Sequence, residues 1–131
     1  MSMPRTLLIC DDEPELAEEI SEFFAATGWS VRTCHSAPDA LTVLLEGYHP
    51  LCLITDLRVG EHDGAELVTA ARLLPKHLQP QVVVIITGHI VNEAEAADFD
   101  ADLLYVKPLD PVMMVEQIEA VLAQAAGATS L

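Results

Sequence analysis

The stretch "LLICDDEPEL", residues 7–16, runs four apolar residues straight into two adjacent carboxylates, Asp11 and Asp12, then Glu13 and a proline. The apolar part has strand length and lacks the polar alternation of a strand with one wet face. It reads as a strand buried on both sides. Past Pro14, residues Leu16, Ile20, Phe23, Phe24 and Thr27 recur on one helical face, and Gly28 follows as a stop. Two acids therefore sit side by side at the mouth of a buried strand, where something must offset their repulsion.

The same alternation repeats along the chain. Leu51 to Thr55, Val82 to Ile86 and Leu103 to Val106 are nearly continuous apolar runs, whereas Trp29 to Cys34 is interrupted by Ser30, Arg32 and Thr33, as suits an edge strand. Ser36, Pro38 and Asp39 open a helix that extends to about Glu46. Asp63 and Glu66 open another, to about Leu74. Asn92 and Glu95 signal a short fourth helix whose start falls between Gly88 and Glu93. Asp110-Pro111 begins the last, with Met114, Ile118, Val121, Leu122 and Ala125 facing the core. Five strands alternating with five helices predict an α/β fold, a single doubly wound parallel sheet with right-handed crossovers. The expected domain covers residues 6–126, and 127–131 reads as a frayed tail or the start of a linker.

Composition narrows the function. A length of 131 residues suits one domain, and the apolar runs are too short to span a membrane. The first residues, Met1 to Arg5, lack the apolar stretch of a secretory signal, so a cytoplasmic location is expected. A formal charge of -15, with only six Lys and Arg, argues against nucleic-acid binding by this chain. Cys10, Cys34 and Cys52 are odd in number and lack Cys-x-x-Cys spacing, which predicts buried, inert thiols. His35, His49, His62, His77 and His89 are scattered without ligand spacing and read as surface or loop residues.

In a parallel sheet the residues that end successive strands gather at one edge, where open α/β sheets bind ligands. Here those residues are Asp11, Asp12, Asp56, Thr87 and Lys107. Three carboxylates in one pocket raise one another's pKa unless a cation offsets them. Oxygen ligands without His or Cys select a hard ion, Mg²⁺ with Mn²⁺ as a substitute. Lys107 supplies a compact positive charge and Thr87 a hydroxyl, both suited to phosphate oxygens. Carboxylate nucleophile, divalent ion, lysine and hydroxyl are the parts of phosphoryl transfer onto aspartate. With three aspartates set against Mg²⁺ and Lys107, the resting site is expected to lie near neutrality.

In order and spacing, "ICDDE", "ITDLRVGEHDG", "IITG" and "YVKPLD" resemble the receiver domain of bacterial two-component response regulators, from about Thr6 to Ala126. The resemblance implies the flavodoxin-like strand order 2-1-3-4-5 flanked by five helices. It also implies Asp56 as phosphoacceptor, Asp12 as a direct Mg²⁺ ligand, Asp11 as a ligand acting mainly through water, and Arg58 contributing its backbone carbonyl. Thr87 would move to hold the new phosphate and Lys107 would pair with it, from a bend where the family holds a cis peptide before Pro108. Such a domain is a switch rather than an enzyme: it assists only its own phosphorylation and dephosphorylation. The implied partners are a sensor histidine kinase or a histidine phosphotransfer protein and a downstream protein, with a homodimer permitted by the last helix.

Taken singly, these residues carry plainer readings. Asp12 with Glu15 could cap the first helix, Thr87 could end a strand, and Lys107 could be solvated. Their convergence favours function. Asp56 has no cap role because Leu57 to His62 reads as loop, whereas Asp63 reads as cap and turn. Gly88 leaves room for a donor, and His89 lies at the rim. An aspartate-based phosphatase would want an acid where Arg58 stands, and "DDEPE" would repel a flavin's phosphate. The chain also departs from the family pattern. Leu104 stands where an aromatic residue is usual, with Tyr105 on the opposite strand face. Gly60 replaces a frequent proline and Leu109 a frequent phenylalanine. Leu104 keeps open a second reading, a degenerate receiver that docks proteins without being phosphorylated.

Overall fold

A computed structural model describes residues 5–59, 62–88 and 100–129. Strands β1 (Thr6–Cys10), β2 (Ser30–Cys34), β3 (Cys52–Asp56), β4 (Val82–Thr87) and β5 (Leu103–Val106) form one parallel sheet in the order β2-β1-β3-β4-β5. This is the expected order 2-1-3-4-5. The register pairs Cys10 with both Cys34 and Thr55, Asp56 with Ile86, and Thr87 with Val106, which brings the strand ends level.

Burial follows sequence pattern. Every residue of β3 and β4 is buried, whereas β2, with its polar interruptions, exposes Ser30, Arg32 and Thr33 at the sheet edge. The two-residue period of a strand then sorts the core into two layers. Leu7, Ile9, Ile54, Val84, Ile86 and Tyr105 pack with helices α1 (Pro14–Ala26) and α4 (Pro111–Thr129). Leu8, Cys10 and Leu53 face the other way, onto α2 (Ala37–Leu45) and α3 (Gly64–Arg72), and Val83, Ile85 and Leu104 extend that second layer. Tyr105 and Leu104 thus lie on opposite faces, as the strand period requires.

The helix starts obey their caps. Ser36 accepts from the Asp39 amide at 3.2 Å, Asp63 from Ala65 at 2.8 Å and Asp110 from Met113 at 3.2 Å. Gly28, in a left-handed conformation at φ +97°, closes α1 and leads to Trp29, which packs edge-on against Phe24. Trp29 belongs to the core rather than to β2, which begins one residue later.

One expectation needs adjustment. Leu57 to His62 is not simply loop, because Arg58–Val59 pairs antiparallel with His62–Asp63 in a two-residue ladder that buries Val59 under α2 and α3. The described residues hold four of the five expected α-helices, and the expected fourth lies on residues outside those described. The last helix continues to Thr129, beyond the apolar repeat that ends near Ala125.

Candidate functional site

The sheet's C-terminal edge gathers the candidate residues. Asp11 leaves β1 fully buried, while the next residue, Asp12, is exposed. Asp56 ends β3 and is 6% exposed, and Thr87 ends β4, also buried. Lys107 follows β5, held by a bond from its backbone N–H to the Thr87 carbonyl at 2.8 Å and by a cis peptide to Pro108. From there its Nζ donates to Asp56 Oδ2 at 2.8 Å. A residue 51 positions away in sequence thereby neutralises one oxygen of Asp56. The other, Oδ1, accepts from the backbone N–H of Arg58 at 3.2 Å, and the Arg58 side chain points to solvent.

Asp11 is held differently. Its Oδ1 accepts from the Glu13 amide at 2.9 Å, and its buried Oδ2 has no hydrogen-bond partner among the described residues. Burial, reinforced by the charge of Asp56, pushes its carboxyl up to about 6. Burial alone would lower the Lys107 ammonium, but its hydrogen bond to Asp56 reverses the direction and raises it. Carboxylate oxygens of Asp11, Asp12, Glu13 and Asp56 all lie within 4.8 Å of one another. An all-oxygen donor set with an orphaned buried acceptor fits a hard divalent cation, which would take up the acceptor capacity left on Asp11.

The local chain explains how the pocket is shaped. The N-cap of α1 is Glu13, whose side chain makes no cap bond, so Asp12 is not the capping residue that local reading allows. Thr55 donates its buried hydroxyl to the Asp56 carbonyl at 2.9 Å. Gly64 presses against that same carbonyl: a Cβ built there would lie 2.0 Å from the Asp56 oxygen. At Gly88, by contrast, a Cβ would meet no atom of the described residues within 4 Å.

The structure thus brings together Asp11, Asp12, Asp56 and Lys107, with Thr87 at the adjoining strand end. His89 and Gly60 lie outside the described residues. His35 is nearer the site than its sequence suggests, its Nδ1 lying 3.0 Å from the Asp11 carbonyl oxygen. Two residues were not singled out by sequence. Glu13 Oε1 accepts from Lys107 at 3.2 Å, and Gly64 makes the close approach beneath Asp56. The available signals were a third consecutive acid at a strand mouth and a glycine directly after a capping aspartate.

A doubly wound sheet thus carries, at its C-terminal edge, four carboxylates and a lysine within reach of one another. The model of the response regulator receiver domain matches residues 7–119, and the chain belongs to that family, a phosphoacceptor signalling domain of two-component systems. It is 24% identical over 128 residues to the transcriptional regulatory protein SrrA of Staphylococcus aureus, an alignment that covers 97% of this chain and 52% of that protein. The chain spans about half the length of the curated relatives it matches. The CheY-like response regulator receiver domain protein of Methanospirillum hungatei superposes with a TM-score of 0.80 at 22% identity, over 95% of this chain and 99% of that one. A Burkholderia pseudomallei response regulator protein, solved with a phosphorylated aspartic acid, a calcium ion and citrate, gives a TM-score of 0.73 at 24% identity, over 93% and 73%. No helix among the described residues is long and apolar enough to cross a membrane.

Proposed function

We propose that Asp56 accepts a phosphoryl group from a sensor histidine kinase or histidine phosphotransfer protein, and that the change alters binding to a downstream protein. The observation that carries this reading is the 2.8 Å bond from Lys107 to Asp56 beside three further carboxylates. Asp11, Asp12, Asp56 and the Arg58 backbone carbonyl would hold Mg²⁺, or Mn²⁺ in its place. The bound ion would offset charge on the phosphoryl oxygens. The solved Burkholderia relative, with its phosphorylated aspartic acid and calcium ion, supports such a pairing of modification and cation.

The chain's own groups supply the rest. Lys107 fixes one Asp56 oxygen and the Arg58 amide the other, so the nucleophile is oriented before a donor arrives. The new phosphate brings extra negative charge and three acceptor oxygens. Lys107 would turn toward them, and the Thr87 hydroxyl, at the neighbouring strand end, would follow. Residues 6–126 are the functional unit in this reading. It works in the cytoplasm, without direct contact with nucleic acid, as a switch rather than a catalyst of other reactions, and the last helix permits a homodimer.

A second reading, a docking module indifferent to phosphorylation, draws on Leu104. This leucine packs with Leu57, Val68, Val83 and Ile85 on the α3 side, and no aromatic ring occupies its position. Incubation with Mg²⁺ and acetyl phosphate separates the two. Under the first, intact-mass analysis shows one added phosphoryl group that is lost in Asp56→Asn and after chelation. Absence of that adduct in the folded wild-type chain would leave only docking.

A further inference from the structure

We propose that Glu13 is a positioning residue for phosphoryl transfer, sharing the Lys107 ammonium with Asp56 and holding back anionic phosphodonors by its charge. This rests on the reading of Asp56 as phosphoacceptor. Lys107 Nζ bridges the two carboxylates, 2.8 Å from Asp56 Oδ2 and 3.2 Å from Glu13 Oε1. The Glu13 side chain is 61% exposed, so it adds little packing. Nor does it serve its own helix, since it makes no cap bond at the start of α1. Among the described residues its side chain meets Lys107, 94 positions away, the lysine that holds Asp56.

The charge balance gives this contact a consequence. Three aspartates with a divalent cation and Lys107 sum to zero, but Glu13 makes four negatives against three positives, so the site is left with one excess negative charge. A donor that enters as a dianion is repelled in proportion to its own charge. In the transfer from acetyl phosphate, an Asp56 oxygen forms the new O–P bond as the donor's acyl O–P bond breaks, and acetate leaves with the electron pair. The phosphoryl oxygens then compete with Glu13 for the Lys107 N–H donors. The contact that orients Lys107 at rest is thereby given up as phosphate arrives.

The test compares wild type, Glu13→Gln and Glu13→Asp at saturating Mg²⁺, with initial phosphorylation rates followed by intact mass. With acetyl phosphate, the charge-removing Gln variant is expected to react about fivefold faster, a gap that narrows as salt rises. With the less negative phosphoramidate the acceleration is smaller, and the Asp variant stays near wild type with both donors. Equal acceleration for the two donors, no acceleration, or an Asp variant as fast as Gln would overturn the role of charge. Without any donor, the Lys107 side-chain ammonium resonance shifts in Glu13→Gln if the bond is shared, and an unchanged resonance overturns the positioning role. If wild type gains no phosphate on Asp56, the underlying reading fails instead, and the resonance alone decides whether Glu13 holds the lysine.

Discussion

Two groupings of carboxylate and cation stand at opposite edges of the same sheet. At the N-terminal edge, Asp102 Oδ2 accepts from the Val83 amide at 2.7 Å and from Arg72 Nη2 at 3.2 Å. Arg72 also donates to the Asp100 carbonyl at 3.1 Å, and its remaining buried Nε faces the Asp100 carboxylate at 3.9 Å. One arginine is set against two acids, with its Nε left without a hydrogen bond among the described residues. At the C-terminal edge, among the described residues, four carboxylates face one lysine, and a buried oxygen of Asp11 is left without a hydrogen bond. The first grouping ties α3 to β4 and β5. The second tolerates repulsion and an orphaned acceptor, which costs stability and is retained where a ligand is to be received.

Substitutions can break this contrast, beginning at the crowded point beneath Asp56. Gly64→Ala forces a methyl group onto the Asp56 carbonyl, so backbone must shift; a loss of about 3 kcal/mol in urea-unfolding stability is expected, with slower phosphorylation. A retained midpoint would mean that this approach is looser than drawn.

Asp11 offers the next largest effect, and its sign is fixed by the direction of its shift. Its folded pKa, about 6, lies above the ordinary 3.8, so the folded state holds the proton more tightly. The stabilisation is complete below about pH 4 and lost as pH rises through 6, an expected fall of about 2 kcal/mol without divalent cation. Urea midpoints between pH 4 and 7.5 should show a shallower fall in Asp11→Asn. Mg²⁺ should recover stability at pH 7.5 in wild type and much less in the variant.

At the other edge, Asp102→Ala leaves the Val83 amide without its acceptor and Arg72 without one partner. Stability should drop by about 1 kcal/mol, while the acetyl phosphate reaction proceeds as in wild type. Equal damage to both properties would show that the edges are coupled. The smallest response is expected from the thiols. Cys10, Cys34 and Cys52 are buried, and burial pushes Cys10 up to about 12 and raises the others, so iodoacetamide at pH 8 should label them only after unfolding.

Much of this molecule was legible in the linear order of residues because the relevant physics is local or periodic. Continuous apolar runs marked β1, β3 and β4 because parallel strands bury both faces, and the interruptions at Ser30, Arg32 and Thr33 marked β2 as an edge. The caps at Ser36, Asp63 and Asp110 are contacts over two or three residues. The antiparallel ladder through Arg58 and Val59 escaped because two-residue strands have no period to detect. Glu13 escaped because the residues around it read as the start of a helix, and its partner lies in another strand's exit.

Sequence by itself therefore determined the strands, the parity of their faces and which polar residues end them, since repeat spacing and capping act over a few positions. Only tertiary structure decided that Lys107 is shared between Asp56 and Glu13, that Gly64 must be bare beneath the Asp56 carbonyl, and that one Asp11 oxygen is stranded. Those outcomes depend on ångström-scale separations between chain segments that meet only when the sheet assembles.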